Sequence, residues 1–217
     1  MNLAGNKRFL LICGIGLVVL IALFFLTRSG TPEDPDPELA RIDRMERKRD
    51  VSGLVEAVLS PKEHVAIRAI VALANVDPAV AREKLQPLLN DARPGLQSVS
   101  IAQYGRVADR NNVKPLVDLF RSPKDVGLKP LVAGALGDAR GWEGVEVLLP
   151  AVNDPNPQLR RAAATALGKI LGVELNLDSE VPAASRQKII AKLHSDLPNF
   201  KKIYDDYWAR NPRQENK

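Results

Sequence analysis

The sequence predicts an all-α chain, a single transmembrane helix followed by an α-α superhelix of about four helix pairs with helical caps. Three observations carry that reading. Residues 9 to 26 run for eighteen positions without a charge. After them, paired apolar segments recur every 31 or 32 residues. Proline and glycine fall between those segments at matching places, as turns between short helices require.

The apolar stretch FLLICGIGLVVLIALFFL would span roughly 27 Å at about 1.5 Å per helical residue, close to the hydrocarbon thickness of a bilayer. It is longer than the apolar part of a cleaved signal peptide. It also ends Phe24-Phe25-Leu26 before Thr27-Arg28-Ser29, a poor cleavage site, so retention is expected. Ile12 is too bulky for lipoprotein processing at Cys13, which reads as apolar filling. Residues 1–8 form a short tail in which Lys7 and Arg8 join the free amine, while the other side offers only Arg28 before Arg41. The positive-inside rule then places the amino terminus in the cytoplasm and the remainder outside, as for a bacterial inner-membrane protein with a periplasmic domain. Cys13 is the single cysteine, so no disulfide framework exists and the soluble part must hold by its core.

Residues 27–37 read as a linker, since alternating prolines and acids favour an extended, solvated chain. A leading cap helix follows over residues 38–50, with Leu39, Ile42 and Met45 at three-residue steps on one side. Its bases, Arg41, Arg44, Arg47, Lys48 and Arg49, raise the question of anionic lipid or nucleic acid. Glu38, Asp43, Glu46 and Asp50 are interleaved with them, which favours a solvated face of mixed charge.

Four repeats then occupy residues 51–172. Their second helices end IRAIVALANV, SVSIAQYGRV, PLVAGALGDA and RAAATALGKI, anchored on Leu73, Tyr104, Leu136 and Leu167 at spacings of 31, 32 and 31. So constant a period marks a repeat architecture. The first helices are VSGLVEAVL, VAREKLQPLL, VKPLVDLF and VEVLLPAV. Ser60-Pro61, Arg93-Pro94, Ser122-Pro123 and Asp154-Pro155 separate first from second helix, and Gly105, Gly137 and Gly168 sit in the last turn of three second helices. Leu159, Ala163, Ala166 and Ile170, widened by Leu167, form one buried stripe. Such a pair cannot bury its apolar side alone and must stack on its neighbours.

The ending RRAAATALGKI, after the turn Asp154-Pro155-Asn156-Pro157, resembles the HEAT-like repeat of the phycobilisome-lyase type, over roughly residues 51–172. The second copy departs from the pattern, with Gln103-Tyr104-Gly105 where the last has Ala-Leu-Gly. The resemblance implies an α-α superhelix and a protein-binding role, with chromophore lyases and alkylated-base glycosylases a minority and no catalytic residue supplied by the repeat itself.

Residues 173–210 read as a carboxyl-terminal helical cap of two helices, near Pro182 to His194 and Pro198 to Trp208. The second shows an aromatic face of Phe200, Ile203, Tyr204 and Tyr207 that would cover the edge of the last repeat. Residues 211–217 form a polar tail.

Chemistry is sparse. His64 and His194 stand in different helices with no cysteine or second histidine at ligand spacing, so no metal site is read, and there is no nucleophile elbow or phosphate loop. Glu56, Glu83 and Glu146 belong to an outer solvated face. No catalytic residue and no cofactor is assigned. Residues 51–172 hold fifteen bases and twelve acids, and Asp138 interrupts the column of Arg106 and Lys169, a weak basis for nucleic-acid binding. What remains is a membrane-anchored scaffold or assembly factor that binds an unidentified protein partner. The expected surface is the column Val71, Ala102, Gly134 and Thr165 on the second helices, flanked by Gln97, Lys129 and Arg160 before it and Arg106 and Lys169 after it. Two other classes stay open: a lyase- or chaperone-like helper holding a small chromophore or ligand in the groove, and a cytoplasmic nucleic-acid binder of the opposite topology.

Overall fold

The computed structural model describes residues 36–122, 126–175 and 181–212. The expected amino-terminal tail and transmembrane helix, residues 1–8 and 9–26, lie outside the described residues, as do most of the linker and all but the first two residues of the terminal tail. Among the described residues, no helix is long and apolar enough to cross a membrane. The chain divides into two compact units, Met1–Arg41 and Ile42–Lys217. In the first, residues 36–41 hold the opening of a helix, where Asp36 Oδ1 accepts from the Glu38 amide at 2.9 Å.

That helix, α1, runs Pro37–Lys48 and buries Ile42. The second unit continues with α2 (Val51–Val58), α3 (Glu63–Val76), α4 (Pro78–Leu85), α5 (Pro94–Val107), α6 (Lys114–Arg121), α7 (Lys129–Ala139), α8 (Gly144–Ala151), α9 (Pro157–Leu171) and α10 (Ala183–Arg210). All regular structure among the described residues is helical. Each first helix packs on its own second helix: α2 on α3, α4 on α5, α6 on α7, α8 on α9. The second helices form a row, α3 against α5, α5 against α7 and α7 against α9. This is the stacking of neighbours that a helical repeat requires.

The four residues that set the period are the centre of the core. Leu73, Tyr104, Leu136 and Leu167 are all 2% exposed or less. The stripe of Leu159, Ala163, Ala166, Leu167 and Ile170 is buried as expected. Tyr104 fills the leucine slot of the second copy and uses its extra reach, donating from its hydroxyl to the Asn112 carbonyl at 3.1 Å. Burial raises its pKa above the ordinary tyrosine value.

Local chemistry explains where the helices begin. Asn156 caps α9, accepting from the amides of Gln158 and Leu159, with Pro157 at the first helical position. Asp77 does the same for α4. The first turn of α5 has no cap of its own, and Glu63 of α3 supplies one from the preceding repeat, its Oε1 accepting from the Leu96 amide at 2.9 Å. The expected first helix over residues 80–89 is shorter. Pro87 lacks the amide that would continue the ladder, so α4 stops at Leu85 and a 3-10 turn, Pro87–Asn90, completes the segment.

The carboxyl-terminal cap differs from expectation in two ways. It is one helix of 28 residues that runs through Pro198, and its buried positions are Leu193, Tyr204 and Trp208, while Ile203 and Tyr207 are 53% and 52% exposed. Tertiary contact sets this register. Tyr204 packs against Trp142 in a tilted arrangement, with ring centroids 5.3 Å apart and ring planes at 55°, and its hydroxyl donates to the Arg140 carbonyl at 2.8 Å. Arg110 lies over the Trp208 ring at 5.3 Å. The far end of α10 is thus held by the loops before α6 and α8, and its near end by Arg186, which donates to Asn153 at 3.3 Å.

Candidate interaction surface on the second-helix row

Close approach along the row is built from small residues. A methyl placed on Gly105 would stand 2.6 Å from Ala135 Cα, and one on Gly137 would stand 2.7 Å from Ala166 Cα. These glycines, read from sequence as punctuation, are where one second helix touches the next. Gly134 differs: a methyl there meets nothing within 4 Å. It is half-buried beside open space, as a surface position would be.

The rest of its column is accessible too. Val71 and Ala102 are half-buried and Thr165 is exposed. One turn later, Arg106 and Lys169 are exposed. Lys169 Nζ pairs with Asp138 Oδ1 at 2.7 Å, joining α9 to α7, and Arg106 donates to Gln103 on its own helix at 2.7 Å.

The structure does not bring the preceding flank alongside the column. Gln97, Lys129 and Arg160 each lie five residues before a column residue, which turns them about 140° around the helix. Gln97 donates to the Leu89 carbonyl at 3.0 Å, and Arg160 donates to the carbonyls of Asp154 and Pro155 at 2.9 and 3.0 Å. Both brace the turn between first and second helix. Lys129 sits over the Phe120 ring at 5.4 Å.

Positions three and four residues earlier lie within about 60° of the column: Ser98, Pro130 and Arg161 stand at four, and the offset of three shares the face as well. Val99, Leu131 and Ala162 stand there, all half-buried. Their signal was available as a repeated three-residue offset from Ala102, Gly134 and Thr165. In the first repeat the same offset gives Arg68, whose Nη2 lies 2.6 Å from both Asp43 Oδ1 and Glu46 Oε2 of α1. Hydrogen bonds from Asn75 and Arg68 hold the Glu46 carboxyl below its ordinary pKa. Beyond the first repeat this three-residue offset is thus apolar, and in the first repeat the ion cluster takes its place. At the other end an open hollow of about 440 Å³ is lined by Arg140, Thr165, Gly168, Lys169 and residues 172–175.

The remaining candidates fall elsewhere. His64 and His194 are exposed on α3 and α10, and Glu56, Glu83 and Glu146 are exposed on first helices. Glu146 pairs with Arg121 of the preceding first helix at 2.9 Å. Among the described residues, no group of three or more His, Cys, Asp or Glu could hold a metal ion.

Residues 145–173, which are α8 and α9 with their turn, match the family model of the HEAT repeat. No curated protein matches the chain. The match over the last helix pair and the all-helical build of the described residues together support a HEAT-like repeat protein.

Proposed function

We propose that this chain is a membrane-anchored protein-interaction scaffold or assembly factor without catalysis. In this reading residues 9–26 hold it in a bacterial inner membrane with the repeats exported, and the repeats are of the short phycobilisome-lyase type. The row of second helices receives a partner helix or extended segment along Val71, Ala102, Gly134 and Thr165.

The observation that carries the reading is Gly134, a small residue facing open space in the middle of the row. Val99, Leu131 and Ala162 supply apolar contact beside it, while Arg106, Lys169 and Asp138 supply charges that fix register. HEAT repeats commonly mediate protein-protein interaction, and stacked helix pairs present extended surfaces suited to it.

The test is a pull-down of tagged full chain from detergent-solubilised membranes, comparing the native protein with Gly134→Leu. The side chain enters open space, so circular dichroism stays native while a specific partner is lost. A partner retained at native level places binding on another face. Carbonate washing checks the anchor separately, because an inserted chain stays in the membrane pellet at full length.

A further inference from the structure

A surface on α1 stands apart from that track. Successive helical residues turn by about 100°, so Arg44, Arg47 and Lys48 share the side opposite the buried Ile42. All three are exposed, and none forms an ion pair with a described acid. The acids of the same helix turn the other way: Asp43 and Glu46 both face Arg68 on α3 at 2.6 Å, and Glu46 also accepts from Asn75 at 2.9 Å. Charges that alternate in sequence are thus segregated in space, acids inward and bases outward. This side of α1 is solvated, as expected from the sequence, and its exposed charges at Arg44, Arg47 and Lys48 are all basic.

The helix carries no aromatic residue that could stack on a base, so a smooth anionic surface suits it better than single-stranded nucleic acid. Distance points the same way. The ten residues between Leu26 and Pro37 reach at most about 35 Å when fully extended, which keeps α1 near any bilayer that holds residues 9–26. We propose that the Arg44, Arg47 and Lys48 face rests on anionic lipid headgroups of the membrane in which the chain is held. This inference rests on the anchored reading above. A tether makes modest electrostatic attraction effective, because the surface is always at high local concentration.

The experiment uses the full chain in lipid nanodiscs, with Cys13→Ser and Ser52→Cys so that a donor dye sits on exposed Ser52 near the start of α2. Acceptor lipid reports how close the domain lies to the bilayer. Discs of phosphatidylcholine are compared with discs that also contain phosphatidylglycerol. In the anionic discs, energy transfer should rise by an apparent approach on the order of one Debye length, roughly 10 Å at 0.1 M salt, and the rise should vanish near 1 M salt. Arg44→Glu with Arg47→Glu and Lys48→Glu should remove it while circular dichroism stays native. Transfer that is equal in both lipids, or a rise that survives salt and charge reversal, overturns the proposal. Elution of the chain apart from both kinds of disc refutes the anchor itself, a result distinct from co-elution without lipid-dependent transfer.

Discussion

Gly105 of α5 lies directly against Ala135 of α7, so close that an added methyl would stand 2.6 Å from the Ala135 backbone. The neighbouring Gly134 has no such contact. The same substitution at the two positions should therefore have opposite signs. Gly105→Ala forces two helices apart and should cost about 1 to 3 kcal/mol. Gly134→Ala relieves the entropy of a helical glycine without a clash and should add about 0.5 to 1 kcal/mol. Urea melts of the two variants check this, and a destabilised Gly134→Ala would place that position in the packed core.

The ion cluster on Arg68 predicts a limb in the acid stability profile. Hydrogen bonds from Asn75 and Arg68 lower the Glu46 pKa in the folded state. A carboxyl depressed by folding contributes fully above its unfolded value and loses that contribution as pH falls through the folded value. Stability should fall below the ordinary glutamate range near about pH 4.3, and Glu46→Gln should flatten that limb. The pair is partly exposed, so the Glu46 contribution is about 0.5 to 1 kcal/mol at neutral pH. Melting temperature against pH for both proteins tests it.

Helix α10 should tolerate loss of its internal proline. Because the helix is continuous through Pro198, Pro198→Ala restores an amide donor and removes a ring that crowds the preceding turn. A gain of up to about 3 kcal/mol is expected. A lower melting temperature would mean that the two segments need the break.

Tyr204 and Trp208 fasten that helix to the repeats. Tyr204→Phe deletes the bond to the Arg140 carbonyl and should cost about 1 kcal/mol. Trp208→Ala removes a ring that is 8% exposed and should cost about 3 kcal/mol. Removal of residues 198–217 also strips the cover from Trp142 and should promote aggregation, measured by light scattering.

The repeat was legible because one structural unit, copied four times, puts the same buried position at a fixed spacing. Leu73, Tyr104, Leu136 and Leu167 announce themselves in sequence and are the core in fact. The register of α10 was not legible. Phe200, Ile203, Tyr204 and Tyr207 make a plausible aromatic stripe, yet Trp142 and the Arg140 carbonyl, distant in sequence, select Tyr204 with Trp208 instead. Nor was the charge separation on α1, since the partner that draws Asp43 and Glu46 inward is Arg68 in another helix. On the candidate track, the column itself was visible, but a five-residue offset mistook the turn-bracing Gln97 and Arg160 for its flank.

Site-specific photocrosslinking in native membranes tests whether the second-helix row is the binding surface. A photoreactive residue is placed at Ala102 or Gly134 on the track, or at Glu56 or Glu146 on exposed first-helix positions. The account predicts one discrete adduct from Ala102 and Gly134, absent from Glu56 and Glu146 and lost when Leu131→Glu is added. Adducts that arise only from Glu56 or Glu146 would contradict it.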